Sequence, residues 1–176
     1  MKILQIIAHP AEKSFTRALA EQFRLGAEEA GHDVFVLDLY TSQLGIEDLE
    51  NLILKADHLN FAWPCMWEMP PARLVDLFQT VFVKGFAFDS VDGMMRPKLN
   101  LVTTCIISMG QDKSLNTTNL SEAMNYCGLD PTFFIFKNVG PRLSEDSAEY
   151  YMHRANAAGK AANTYNNGTI NATELP

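Results

Sequence analysis

Apolar residues recur in two rhythms along the chain, and the rhythms take turns. Residues 2–8 (KILQIIA) form a short, nearly continuous apolar run rich in Ile, the pattern of a strand buried on both faces of a sheet. The run stops at His9-Pro10. Ser14 stands as a helix N-cap, and Phe15, Leu19, Phe23 and Ala27 then recur every fourth residue up to Gly31, which ends the helix. Residues 33–39 (DVFVLDL) read as a second strand, residues 46–55 as a shorter helix and residues 58–63 as a third strand. Pro70-Pro71 suits the first turn of a helix, and Leu74, Leu77, Phe78, Val81 and Phe82 mark its amphipathic continuation, closing near Gly85. Residues 99–107 (LNLVTTCII) predict a fourth strand, residues 120–127 a helix ending at Gly128, and residues 132–136 (TFFIF) a fifth strand. Ser144 caps a last helix with Ala148, Tyr151, Met152, Ala155, Ala158 and Ala162 on one face.

Five strands alternating with five helices imply one α/β domain with a parallel sheet, spanning residues 1–162. Such a sheet binds ligands beyond the C-terminal ends of its strands, where the strand order reverses. For the order 2-1-3-4-5 that crevice is lined by the loops after strands one, three and four. Here those loops read HPAEKSF, PCMWEMPP and SMGQDKSLN.

Composition narrows the choices. A chain of 176 residues with 47% apolar and 20% charged content is an ordinary folded domain. Its net charge of −7 and lack of Lys/Arg clusters argue against nucleic acid or anionic membranes as partners. No stretch approaches a membrane span, and MKILQIIAHP is too short for a signal-peptide core, so a cytoplasmic protein is expected. Cys65, Cys105 and Cys127 are odd in number and widely spaced, which indicates neither a disulfide framework nor a metal site. Residues 163–176 (NTYNNGTINATELP) are polar and turn-rich, the composition of a loose tail or an arm lying on a partner.

The first loop leads from a buried strand into a helix N-terminus, whose free N–H groups and positive dipole end suit a phosphate. His9, Ser14 and Thr16 add side-chain donors. The loop lacks the glycines of G-x-G-x-x-G and the Lys-Ser/Thr of a P-loop, which disfavours Rossmann-type dinucleotide binding and Walker-type hydrolysis. In the third loop, FAWPCMWEMPP, large flat side chains follow Pro64, where the strand has ended. Such a stretch is either core turning a corner or the wall of a pocket covered by a planar ligand or a second subunit.

Four stretches resemble a known family: AHPAEKSFTRALAEQF, GHDVFVLDLY, KADHLNFAWPCMWEMPPARLVDLFQTVFVKGFAF and NYCGLDPTFFIFKNVG. They are similar, in the same order, to the NAD(P)H:quinone oxidoreductases of the flavodoxin-like fold, including the flavin-binding ancillary proteins of bacterial potassium efflux systems. The family's Phe-Pro-Leu-x-Trp-like turn, Met-Pro-Ala and Gly-Phe-Ala-Tyr appear here as WPCMW, MPPA and GFAF. The resemblance implies a three-layer flavodoxin-like sandwich with a five-stranded sheet of order 2-1-3-4-5. It implies that His9, Ser14, Phe15 and Thr16 hold the flavin phosphate, and that Pro64, Cys65, Met66, Trp67 and Glu68 border the flavin ring with backbone N–H groups toward its N1/O2 edge. It also implies that Trp67 and Phe88 shape a substrate pocket completed across a homodimer interface.

Three departures stand out. The Thr-Thr-Gly-Gly-like loop of the family is replaced by Thr103-Thr104 running on into Cys105-Ile106-Ile107, which moves the expected flavin contact to Ser108, Met109 and Gly110. The Tyr and His that some members carry beyond this loop have no match in GQDKSLNTTN, and Glu68 stands where an aromatic residue is common. The function implied is transfer of a hydride from NADH or NADPH to bound FMN, with FAD the alternative, followed by two-electron reduction of a quinone or similar small planar acceptor. The competing expectations are a one-electron carrier of the flavodoxin kind and a non-catalytic flavin-binding regulatory subunit.

Overall fold

The computed structural model describes residues 1–141 and 143–164 with their side chains, and residues 168–171 by their backbone. The chain runs β1 (Lys2–Ile7), α1 (Phe15–Glu29), β2 (Asp33–Asp38), α2 (Ile46–Leu54), β3 (His58–Cys65) and α3 (Ala72–Thr80). A hairpin follows, β4 (Phe88–Val91) and β5 (Met94–Pro97). The rest is β6 (Leu101–Met109), α4 (Thr118–Tyr126), β7 (Leu129–Phe136), α5 (Glu145–Lys160) and β8 (Gly168–Asn171).

The main sheet has the order β2-β1-β3-β6-β7-β8, all neighbours parallel. Its first five strands are those expected from the sequence, in the expected order. The sixth, β8, comes from the stretch expected to be loose; residues 165–167 and 172–176 lie outside the described residues. The β4–β5 hairpin was not anticipated. Its Asp92-Gly93 turn, with φ of 52° and 74°, is the left-handed pair that two-residue hairpins favour, and it was the legible signal.

Helices cover both faces of the sheet. On one face Leu19, Phe23 and Ala27 of α1 and Ala155 and Ala158 of α5 bury against Ile3, Ile7, Ala62, Ile106 and Phe134. On the other, Ile53 of α2, Leu74 and Leu77 of α3 and Met124 of α4 bury against Leu4, Ile6, Phe61 and Cys105. Phe23, Phe61 and Phe134 are wholly inaccessible, and burying such a side chain contributes about 2–3 kcal/mol each. The α1–α5 contact is close because glycines make it so: a Cβ on Gly26 would lie 2.0 Å from the Asn156 carbonyl oxygen, and one on Gly159 2.0 Å from the Phe23 carbonyl oxygen.

A chain of polar side chains crosses the middle of the sheet. Gln5 Nε2 donates to Asn60 Oδ1 (2.8 Å) and to the Ala20 carbonyl (2.9 Å), and Asn60 Nδ2 donates to Thr104 Oγ1 (2.8 Å). Thr104 Oγ1 in turn lies 2.9 Å from His58 Nε2. All four residues are at most 1% exposed, so each group depends on these partners.

Candidate active site

The C-terminal ends of β1, β3 and β6 open into the loops that carry the sequence-predicted residues. After β1 the loop is held by one side chain: Arg17 Nε donates to the Ala11 carbonyl (2.7 Å) and Nη2 to the His9 carbonyl (2.8 Å). Its Nη1 pairs with Asp38 Oδ2 at the end of β2 (2.7 Å). Ser14 caps α1, its Oγ accepting the Arg17 N–H (3.2 Å), as the sequence suggested. The N–H groups of Phe15 and Thr16 head the helix without intrahelical acceptors. His9 Nδ1 accepts the Ala11 N–H (3.0 Å), and burial pushes the imidazole below its usual pKa.

Loop three turns abruptly. Met66 and Met69 exchange backbone hydrogen bonds of 3.0 and 2.9 Å around a two-residue turn whose central residues, Trp67 and Glu68, both have left-handed backbones, with φ of 51° and 64°. That turn shape ordinarily selects Asn-Gly, so a Trp-Glu pair there is strained. The strain displays side chains: Trp67 is 92% exposed while Trp63, within β3, is 2% exposed. Trp63 is thus core and Trp67 surface, and the strand runs past Pro64 to Cys65, two residues short of Trp67, rather than ending at Pro64 as the sequence suggests. The expectation that N–H groups of this stretch face a ligand is narrowed, because Pro64 has none and the Met66 N–H is spent inside the turn. Burial pushes the Cys65 thiol up, against the Glu68 N–H, so this side chain is a neutral thiol.

The loop after β6 completes the site. Ser108 Oγ and Thr16 Oγ1 are 2.6 Å apart and nearly inaccessible, joining β6 to the first turn of α1. Ser108, Met109 and Gly110 do stand at the crevice, whereas Thr103 and Thr104 are buried within the strand.

Two adjoining cavities gather these groups. A smaller one of about 150 Å³ has His9, Phe15 and Thr16 on one side and Pro64, Cys65 and Ser108 on the other. Cys65, Met109 and Gly110 are shared with a larger one of about 550 Å³, whose other walls are Met66, Trp67, Glu68, Gln111 and Lys113. Eleven of the predicted residues therefore border one continuous crevice, and Ser14 acts behind it as the cap. Phe88 is not brought there. It stands on β4 with its ring edge-on to Tyr126 at 5.0 Å and lines neither cavity. Sequence reasoning missed Arg17, Lys113 and Val139, the last on the loop after β7 that also borders the smaller cavity.

The fold has counterparts in known proteins. A family model described as flavodoxin-like fold matches residues 1–162. A protein of Haemophilus influenzae, described as an uncharacterized NAD(P)H oxidoreductase, is 30% identical over 184 aligned positions, covering 86% of this chain and 90% of its own length. Among solved structures, the NAD(P)H:quinone oxidoreductase from Methanothermobacter marburgensis superimposes with a TM-score of 0.75 at 25% identity, over 94% of this chain and 98% of that one. An FMN-dependent NADH-azoreductase from Bacillus anthracis, in complex with FMN, shares the fold with a TM-score of 0.73 at 13% identity, over 90% of this chain and 97% of its own. The family model gives the flavodoxin-like fold and the relative the kind of oxidoreductase: this chain belongs to the flavodoxin-like NAD(P)H oxidoreductase family.

Proposed function

We propose that this chain is an FMN-dependent oxidoreductase that takes a hydride from NADH or NADPH and delivers two electrons to a quinone or a similar small planar acceptor. The supporting observation is the join between the two cavities. One end offers a helix N-terminus with the Phe15 and Thr16 N–H groups and His9, and the other offers apolar walls from Met66, Trp67 and Met109, meeting at Cys65 and Gly110. A ligand with a phosphate at one end and a flat ring at the other fits that donor set, and FMN has that shape. FAD remains the alternative cofactor.

Bound FMN would supply the two-electron chemistry. The chain's part is to hold and shield. The α1 N-terminus and His9 bind the phosphate, and the Trp67 N–H is the donor of the third loop left without a partner among the described residues. The open larger cavity lets donor and acceptor use one site in turn, so positioning carries the rate and the kinetics are ping-pong. Steady-state NAD(P)H oxidation at several quinone concentrations tests this. Parallel double-reciprocal lines are expected; no quinone-dependent oxidation by flavin-loaded protein would overturn the reading.

A homodimer belongs to the same proposal. Trp67, Met66 and Met69 beside the cavity, and Val91, Met94, Met95 and Tyr126 on the hairpin and α4, are exposed large apolar groups that a second copy would cover. Sedimentation of the purified protein should give twice the chain mass of 19.7 kDa, and a monomer at micromolar concentration would exclude this part.

A further inference from the structure

Glu68 is the residue the family resemblance leaves unexplained, and the structure gives it a partner. Glu68 Oε1 lies 3.8 Å from Lys113 Nζ, so the pair ties the turn after β3 to the loop after β6 over the larger cavity. These are the two charged residues among that cavity's walls, one on each loop. The separation is ion-pair distance, beyond hydrogen-bond reach, and the side chains are 65% and 62% exposed. Water and salt compete for such a pair, so it holds little energy of its own and exchanges readily. The neighbouring acid, Asp112, is engaged elsewhere, 3.6 Å from Lys137. The Glu68 backbone is held in the Met66–Met69 turn, while its side chain stays free to move.

We propose that Lys113, countered by Glu68 while no acceptor is bound, reads an acidic substituent, a sulfonate or carboxylate, carried on the planar acceptor. This specificity rests on the oxidoreductase reading above and names its substrate class. Among the described residues, Lys113 is the one cation in the walls of the larger cavity, so it is the group there that can favour an anionic ring over a neutral one. The entering anion takes the place of the Glu68 carboxylate at Lys113, and Glu68 turns to solvent. A neutral ring leaves the pair closed. The arrangement therefore discriminates by charge through an exchange of one partner for another.

The sign pattern is the test. Calorimetric titration without any reductant compares anthraquinone-2-sulfonate with a neutral hydroxymethyl-anthraquinone on FMN-loaded wild-type, Lys113→Met and Glu68→Gln proteins. The ratio of sulfonate to neutral affinity should fall at least about fivefold in Lys113→Met and rise about two- to fivefold in Glu68→Gln, with both differences shrinking at 0.5 M salt. Equal ratios in all three proteins, or a fall in Glu68→Gln, overturn the proposal. Because binding is read without turnover, that result is separate from failure of the oxidoreductase reading, which shows as no NAD(P)H oxidation with the neutral quinone.

Discussion

Arg17 Nη1 and Asp38 Oδ2 stand 2.7 Å apart, and through this pair the first helix, the loop after β1 and the end of β2 are held as one unit. The same guanidinium binds the carbonyls of His9 and Ala11, so it fixes the loop that ends at the helix N-terminus. Burial alone would raise the Asp38 pKa; the Arg17 guanidinium and the Tyr40 N–H outweigh it and hold the carboxyl below its usual value. The unfolded carboxyl titrates near its ordinary value, so the pair's contribution is full above that value and fades as pH falls through the lower folded one.

Arg17→Gln should therefore loosen the phosphate site without unfolding the protein. FMN affinity, read by fluorescence quenching, should drop about tenfold, which corresponds to about 1.4 kcal/mol. Arg17→Lys should not rescue it, because one ammonium cannot span two carbonyls and a carboxylate as a planar fork does. Wild-type affinity in either variant would show that the clamp does not position the loop.

The Met66–Met69 turn makes an opposite kind of prediction. Replacing Trp67-Glu68 with Asn-Gly relieves two left-handed backbones and should raise stability by about 1–2 kcal/mol in urea unfolding. The same double variant should lose quinone reduction or flavin retention. A fall in stability would mean that Trp67 acts as core after all, which its 92% exposure argues against.

His58 sets a pH dependence. Burial pushes its imidazole down to about 4, against 6.5 unfolded. The lowered folded value favours the neutral ring, so its share of stability is complete above pH 6.5 and is lost as pH falls toward 4. The linked loss is about 3 kcal/mol over that range. His58→Gln, which keeps a polar group but does not titrate there, should flatten this part of the stability curve; an unchanged slope would contradict the assignment.

Much of this architecture was legible in the sequence because its signals are local. The Ile-rich run at β1, the Ser14 and Ser144 caps and the glycines at 31 and 128 mark strand and helix ends wherever they occur. The loops after β1, β3 and β6 meet by topology, so placing His9, Trp67 and Ser108 together required only the strand order. What escaped depends on contacts across the chain. Gly26 and Gly159 are poor helix residues until α1 and α5 are brought against each other. Arg17 looks like one more surface cation until Asp38 and two carbonyls converge on it. Lys113 acquires meaning only opposite Glu68. Phe88 was placed near a pocket completed across a dimer by resemblance alone, and in the single chain it packs on Tyr126.

On the proposed reading the joined cavities hold FMN. The visible absorbance spectrum of the protein, purified and then reconstituted with FMN and freed of excess by gel filtration, tests it most directly. A retained flavin spectrum at one FMN per chain is expected, weakened when Arg17 is changed to Gln. A protein that carries no flavin after reconstitution with FMN or FAD would contradict it.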